Sequence, residues 1–501
     1  MRSSDSVLDS TFVNQWLRFH VGLVIFLGVV LINDSVLAAG SGPVLSDQVI
    51  TEAVESALLV DKSVPSHLID VQTHQGIVTL IGSVPHYRAK KRAVQLVETV
   101  KGVESVINGL TVKISQRSDE DILRDVNRVL DEDPVTNAYA ITAAINDGVV
   151  TLSGTVPSWA ARELGAWVAS GVKGVRDVEN SLITELKEQR ADSVILEEIQ
   201  KRLKSDVWVN EDSALVSVND GVVTLDGVVG SVAEKRRIAN DARVAGVKEV
   251  DESLLFVKAW AQGKMQRKRE VGYRSDAEIK ETVELAYLYD PRVSAFNPTI
   301  TVRGGIVTLT GLVNNLKAKR AAEDAARRTR GVLWVKNFLK VRPGEEMSDE
   351  VLSRKVKLAL HDDPFVNGLN IGVFVLNGRV ILHGIVDSPF QKNQAEESIS
   401  TVKGVVEVKN NLNVEGSWTW QPDPIIKRDI ESELWWSPYV DSDDVTVSVK
   451  QGVATLSGTV DSYLEQGIAI ENAREGGAKE VESLLTIRKY LEIDVLPNGA
   501  K

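Results

Sequence analysis

The hydrophobic positions of this 501-residue chain follow one pattern that recurs six times. Each occurrence opens with apolar residues at i, i+4 and i+8, which predicts a helix with one buried stripe. The six stripes are Ile50/Val54/Leu58, Ile122/Val126/Leu130, Ile195/Ile199/Leu203, Ile279/Val283/Tyr287, Leu352/Val356/Leu360 and Ile426/Ile430/Leu434. Proline lacks the backbone N–H that a helix interior needs, and it predicts the end of this helix near Pro134, Pro291, Pro364 and Pro438.

A period-two alternation follows the helix, as in Val445/Val447/Val449, and predicts a half-buried strand. A tight turn then leads into a glycine-led strand of the type Gly-Val-Val-Thr-Leu-x-Gly, because glycine tolerates the positive φ of such turns. Its leading structural glycines are Gly76, Gly148, Gly221, Gly305, Gly378 and Gly452. An alanine-rich helix and a last strand complete each repeat. The predicted fold class is α+β, with six tandem α-β-β-α-β modules, each a three-stranded mixed sheet covered by two helices on one face.

The leading glycines are separated by 72, 73, 84, 73 and 74 residues, so an extra segment lies between repeats 3 and 4. It divides the chain into two triplets of repeats. The predicted boundaries are 1–38 for a signal peptide, 46–115, 118–187 and 192–258 for repeats 1 to 3, 259–274 for a basic linker, and 275–343, 348–416 and 423–489 for repeats 4 to 6.

The amino end carries one membrane-targeting signal. The apolar run from Val21 to Ile32 is shorter than the roughly 20 residues that a spanning helix needs. It suits the hydrophobic region of a secretory signal that is cleaved after Ala38. This pattern predicts export to the periplasm and a peripheral rather than spanning protein, and the alternative is an uncleaved amino-terminal anchor.

The glycine-flanked strand, the α-β-β-α-β order and the period near 73 resemble the BON family, the bacterial osmotic-stress and nodulation domain. The resemblance covers residues 46–489, although repeat 5 departs from the strand pattern at Arg379 and Ile381. It implies export to the periplasm, a role in envelope integrity and osmotic stress, and, as in several members, binding to anionic phospholipid.

Little in the sequence favours an enzyme. Cysteine is absent, and the six histidines do not fall at metal-ligand spacing. The carboxylate pairs Asp131/Asp133 and Asp362/Asp363 follow the first helix and precede proline, where helix-end loops explain them better than catalysis does. We therefore expect no catalytic residue, metal or cofactor. The net charge of −12 argues against a nucleic-acid partner.

Apolar pairs at the end of the first helix are the first candidate contact site. Repeats 2, 3 and 5 have charged or polar residues there, which indicates partial exposure, whereas repeats 1, 4 and 6 carry Leu59 and Val60, Leu288 and Tyr289, and Trp435 and Trp436. Tryptophan favours the headgroup region of a membrane, and Trp418 and Trp420 would extend the site in repeat 6. The alternative is that these residues pack between adjacent repeats.

A basic run is the second candidate: Lys264, Arg267, Lys268, Arg269 and Arg274 in the linker, continued by Lys317, Lys319, Arg320, Arg327, Arg328 and Arg330. It suits anionic headgroups, and the alternative is a solvated linker and a charged helix face. We thus expect a non-enzymatic envelope protein that binds anionic phospholipid, with a protein–protein scaffold or oligomeric assembly as the alternative. Salt should weaken lipid binding through the basic run and leave assembly through apolar residues unchanged. The oligomeric state stays open.

Overall fold

The computed structural model describes residues 45–113, 117–184, 190–262, 274–344, 347–415 and 420–488. Each range holds one α-β-β-α-β unit, and we number these units modules 1 to 6 in chain order. The predicted α+β fold with six tandem modules is therefore confirmed. The predicted signal peptide at residues 1–38 lies outside the described residues.

Every module contains the same elements in the same order. The opening helices are Asp47–Val60, Asp119–Glu132, Asp192–Ser205, Asp276–Tyr289, Asp349–Asp362 and Asp423–Trp436. The first hairpin strands are Ile69–His74, Ala140–Asn146, Ala214–Asn219, Thr299–Arg303, Ile371–Leu376 and Val445–Lys450. The second hairpin strands are Ile77–Val84, Val149–Val156, Val222–Val229, Ile306–Thr310 with Leu312–Val313, Arg379–Val386 and Val453–Val460.

A helix and a strand then complete each module. The second helices are Tyr87–Glu98, Trp159–Ser170, Val232–Ala242, Leu316–Arg327, Pro389–Ser400 and Tyr463–Glu475. The closing strands are Ser105–Val112, Asp177–Thr184, Glu249–Val257, Trp334–Asn337 with Lys340–Val341, Glu407–Val414 and Glu480–Ile487.

The second hairpin strand lies in the middle of each sheet. It pairs antiparallel with the first hairpin strand and parallel with the closing strand, so the sheet is mixed as predicted. The hairpin of module 5 turns at Asn377 and Gly378, whose φ angles of 51° and 74° are both left-handed. Two successive positive φ angles define the type I′ turn, which matches the twist of the strands it joins.

Both helices of a module cover the same face of its sheet. In module 5 the stripe of Leu352, Val356 and Leu360 is buried against Val380 and Leu382 of the central strand, as the periodicity predicts. Side chains alternate across a strand, so the neighbours of these strand residues point to the opposite face. We call that opposite face the outer face of the module.

The modules also pack against one another. Within the first triplet, Arg88 donates to the carbonyl oxygen of Trp167 at 3.0 Å, and Trp159 Nε1 donates to the carbonyl oxygen of Val247 at 2.9 Å. Between the triplets, Lys317 of module 4 contacts Asp133 of module 2, and Trp436 of module 6 packs on the core of module 1. These contacts hold the six modules in one assembly.

Candidate functional site

The apolar pairs at the ends of the opening helices have different surroundings in the three modules. In module 1, Leu59 is 72% exposed and Val60 is also exposed. In module 4, Leu288 is exposed, whereas Tyr289 is half-buried with the Arg202 guanidinium of module 3 5.3 Å from its ring. Burial, with a hydrogen bond to the carboxyl of Glu198, raises the pKa of Tyr289 to about 12. Tyr289 therefore lies in a contact between modules.

Trp435 and Trp436 also lie between modules. The side chain of Trp436 packs on the core of module 1, and the two indole rings meet edge to face with centroids 4.8 Å apart. The ammonium group of Lys101, on module 1, lies 4.1 Å from the centroid of Trp435. Both tryptophans therefore lie in a contact between modules 6 and 1, which are not neighbours along the chain, while Trp420 is exposed.

The basic run is largely engaged in ion pairs where the structure describes it. Lys317 is buried against Asp133, Arg320 pairs with Glu396 at 3.1 Å, and Arg327 pairs with Glu323. Arg330 donates to main-chain carbonyl oxygens of module 3. Lys264, Arg267, Lys268, Arg269 and Trp418 lie outside the described residues.

A cavity of about 1090 Å³ opens between modules 1, 2, 3, 4 and 6. Its lining includes Lys91, Arg236 and Arg328 together with Glu98 and Glu104. Burial raises the pKa of the Glu98 carboxyl, and the neighbouring Arg236 guanidinium opposes that rise. With both signs of charge on its walls, the cavity defines no preference for an anion or a cation.

The outer faces differ sharply between modules at one row of residues. The strand register sets one residue from each of the three strands side by side at the centre of each outer face. The rows are Gln72–Thr79–Ile107, Ala144–Thr151–Glu179, Ser217–Thr224–Asp251, Thr301–Thr308–Lys336, Phe374–Ile381–Lys409 and Ser448–Thr455–Glu482 for modules 1 to 6. Five modules have threonine at the centre, and module 5 has isoleucine with phenylalanine beside it.

The outer face of module 5 is accordingly apolar with cations at its edge. Phe374, Leu376 and Ile385 are 53%, 55% and 56% exposed, and Ile381 lies among them on the central strand. Lys409 neighbours Ile381 on the closing strand and is exposed. We call Phe374, Leu376, Ile381, Ile385 and Lys409 the module 5 patch.

Arg379 and His383 lie on the same face of the central strand as this patch, and His383 stands between Ile381 and Ile385. Arg379 Nε lies 3.1 Å from a carboxylate oxygen of Glu407. The His383 ring lies over Gly372, where an added Cβ would stand 2.1 Å from its Nε2 atom. The departure of repeat 5 at Arg379 and Ile381 is visible in the sequence, but its place on an exposed apolar surface emerges only with Phe374 on the paired strand.

A protein-family model for the BON domain matches residues 46–114, 118–185, 191–258, 275–343, 348–416 and 422–489. The chain belongs to the BON domain family. Osmotically-inducible protein Y of Escherichia coli is 32% identical over 150 residues, which cover 28% of this chain and 75% of that protein. Outer membrane lipoprotein DolP of Haemophilus influenzae is 30% identical over 185 residues, which cover 36% and 83%.

Two solved structures of CdsD, a structural protein of the type III secretion system of Chlamydia trachomatis, are also similar to part of this chain. They are 14% and 16% identical, each with a TM-score of 0.12. The alignments cover 42% and 43% of this chain and 91% and 100% of the matched chains.

Each BON module also holds its hairpin turn with the aspartate that begins its opening helix. In module 5, Asp349 accepts hydrogen bonds from the N–H groups of Asn377 and Gly378 at 2.9 and 3.2 Å. The same two bonds recur in the other modules at Asp47, Asp119, Asp192, Asp276 and Asp423. Each aspartate precedes its turn glycine by 29 residues, and that fixed spacing is the signal in the sequence.

Asp133 and Asp363 bind backbone N–H groups and cationic side chains at the ends of the opening helices. No group of histidine, aspartate and glutamate side chains within the six described ranges is arranged to hold a metal ion. None of the helices in those ranges combines the length and apolar character needed to cross a membrane.

Proposed function

We propose that this BON protein is a non-enzymatic component of the cell envelope that binds anionic membrane surfaces peripherally. The observation that supports this proposal is the module 5 patch, in which Ile381 stands where every sister module has threonine and Phe374 stands where the sister modules have a polar residue or alanine. Because the core of module 5 lies on the opposite face of the sheet, the module does not need these apolar side chains for its own packing.

The patch combines two contributions that hold proteins at lipid surfaces. Moving its exposed apolar side chains from water into the boundary between headgroups and acyl chains lowers the free energy of the system. Lys409 stands beside them, and a cation near an anionic surface contributes about 1 kcal/mol. The outer face of module 5 presents both contributions on the same side of the module. Leu59 and Val60 on module 1 and Leu288 on module 4 are further exposed apolar residues that suit such contacts.

The relatives support the envelope setting. One is named as an outer membrane lipoprotein and the other as an osmotically inducible protein. Together with the secretory signal predicted at residues 1–38, these names favour a periplasmic protein that supports envelope integrity or tolerance of osmotic stress.

Vesicle co-sedimentation tests the proposal. The full chain should bind phosphatidylcholine vesicles increasingly as phosphatidylglycerol is added. The double variant Phe374→Ser with Ile381→Thr restores a polar row and should weaken binding by roughly 10- to 100-fold, the equivalent of one large side chain no longer leaving water. The matched control, Ala144→Ser with Thr151→Ser on the polar outer face of module 2, should bind as the parent does.

Circular dichroism and thermal melting should confirm that both variants fold. Absence of binding at every phosphatidylglycerol fraction would overturn the membrane role. Equal binding by the parent and the module 5 variant would show that the module 5 patch does not contribute to membrane binding. The alternative function, a scaffold that assembles with proteins, is favoured by a separate observation on the contacts between the triplets.

A further inference from the structure

The contacts between the two triplets occur in reciprocal pairs. Lys317 is the second residue of the second helix of module 4, and its Nζ lies 2.6 Å from Asp133 Oδ2 of module 2. Arg88 is the second residue of the second helix of module 1, and its Nη1 lies 3.6 Å from Asp363 Oδ2 of module 5. Asp133 and Asp363 both directly follow an opening helix. Exchanging the triplets therefore converts one ion pair into the other.

Modules 2 and 5 contact each other through the carboxylates at the ends of their opening helices, each of which meets a cation on the opening helix of the other module. Glu132 and Asp362 are the last residues of their opening helices. Asp362 pairs with Arg128 on the opening helix of module 2 at 2.6 Å. Glu132 in turn lies 3.9 Å from the Nζ of Lys355 on the opening helix of module 5.

Modules 3 and 6 meet through equivalent residues. Trp208 and Tyr439 each stand two positions after the residue that caps an opening helix, and their rings meet with centroids 4.7 Å apart. When two modules are related by a two-fold axis, a contact between equivalent residues lies on or near that axis.

The remaining junctions, 3 with 4 and 6 with 1, complete the relation. Arg330 and Lys101 both directly precede the glycine that follows a second helix. The N–H of Arg330 donates to the carbonyl oxygen of Ser205, at the end of the opening helix of module 3, at 2.9 Å. Lys101 lies over Trp435, at the end of the opening helix of module 6. Each junction thus joins the end of an opening helix to the segment after a second helix.

An interface in which residue i contacts j and j contacts i is the isologous type that two identical subunits form. We infer that the contact surface between the triplets is a self-association surface whose partner is a second copy of this chain. In such a dimer, the first triplet of each chain pairs with the second triplet of the other, and the contacts are those seen within one chain.

The burial of the ion pairs explains why each triplet requires a partner triplet. The side chains of Lys317 and Asp133 are 7% and 4% exposed. Separating the triplets would leave such charges without their partners, whereas exchange between chains preserves every pair. The closed single chain dominates at low concentration because its two triplets are linked, and the exchanged dimer gains population as the concentration rises.

Single cysteines test the inference, because the chain has no cysteine of its own. One full-length variant carries Arg128→Cys and another carries Asp362→Cys, both at half-exposed positions. The two are mixed, incubated at rising protein concentration and treated with a short thiol-reactive cross-linker. We expect a two-chain product, near twice the 54.8 kDa of one chain, whose yield rises with concentration.

A second pair at the same contact, Glu132→Cys mixed with Lys355→Cys, should give the same product. Placing the second cysteine on the outer face of module 6, as Ser448→Cys, should not. A single chain with both Arg128→Cys and Asp362→Cys should cross-link internally at low concentration. If that chain cross-links while neither mixed pair yields a two-chain product at any concentration, the inference is wrong. Vesicle binding does not enter this readout, so its outcome is independent of the proposed membrane role.

Discussion

The two triplets of this protein contact each other through equivalent positions, but the outer faces of their modules differ. Modules 2 and 5 occupy equivalent places, and both receive a cation from the other triplet at Asp133 or Asp363. On their outer faces, however, module 2 carries the row Ala144–Thr151–Glu179 and module 5 carries Phe374–Ile381–Lys409. The comparison teaches that the interface constrains the helical side of a module, while the outer face can change without disturbing the fold.

Removing the cation from each of the two ion pairs should give the largest difference in stability between the two triplets. Lys317→Ala leaves the buried carboxylate of Asp133 without its cation, and we expect a loss of about 3–5 kcal/mol in the free energy of unfolding. Arg88→Ala should cost less, because Asp363 still accepts hydrogen bonds from Gln394 and Ser398 at 2.7 and 2.5 Å. Denaturant unfolding of both variants measures the difference. Equal losses would show that the two sites are energetically interchangeable.

Transferring the apolar row of module 5 to module 2 should show whether this row alone explains the difference in membrane binding between the two outer faces. In the chain that carries Phe374→Ser and Ile381→Thr, the changes Ala144→Phe, Thr151→Ile and Glu179→Lys rebuild the apolar row on module 2. Vesicle affinity should recover by roughly tenfold or more, because the same side chains stand in the same register on an equally open face. A graft that folds but does not restore binding would mean that the position of module 5 in the assembly matters as well as its row.

A smaller difference between the triplets should appear in the pH dependence of stability, because one buried position carries a carboxyl in module 3 and an amide in module 6. Asp241 in module 3 is buried, and burial together with the nearby Asp206 raises its pKa to about 7, whereas module 6 has Asn472 at the equivalent position. A carboxyl with a raised pKa binds a proton more tightly in the folded state. Its contribution to stability is therefore complete below about pH 4 and is lost as pH rises through about 7.

Asp241→Asn places the amide of module 6 at this position and should make the free energy of unfolding depend less on pH. At pH 8 we expect the variant to be more stable than the parent by about 1 kcal/mol, a gain that shrinks towards pH 5. Melting temperatures of the two proteins at pH 5, 6, 7 and 8 provide the measurement. Parallel profiles would contradict the raised pKa.

The sequence predicts the modules well because their signals are local. Helix stripes, period-two strands and turn glycines specify the elements, and the two-residue turn at Asn377–Gly378 even sets the register that brings Phe374 opposite Ile381. The aspartate that holds each turn could also be found from its 29-residue spacing. Its role required the hydrogen bonds themselves.

The contacts between modules could not be predicted in the same way. Lys317 and Asp133 are 184 residues apart, and nothing near either residue indicates the other. The charged residues of the sister modules predict partial exposure for Trp435 and Trp436, but in module 6 both side chains lie against module 1. The same position in a repeat thus has different surroundings, because its neighbours depend on where the module sits in the whole assembly.

The contact between module 6 and module 1 has a mechanical consequence. When the chain is pulled between Leu45 and Arg488, the load falls first on the packing of Trp436 against module 1 and then on the interface between the triplets. The assembly would open before any sheet unravels, and each module of roughly 70 residues would then release up to about 240 Å of extended chain. Under tension, such a protein would yield in steps rather than fail at once.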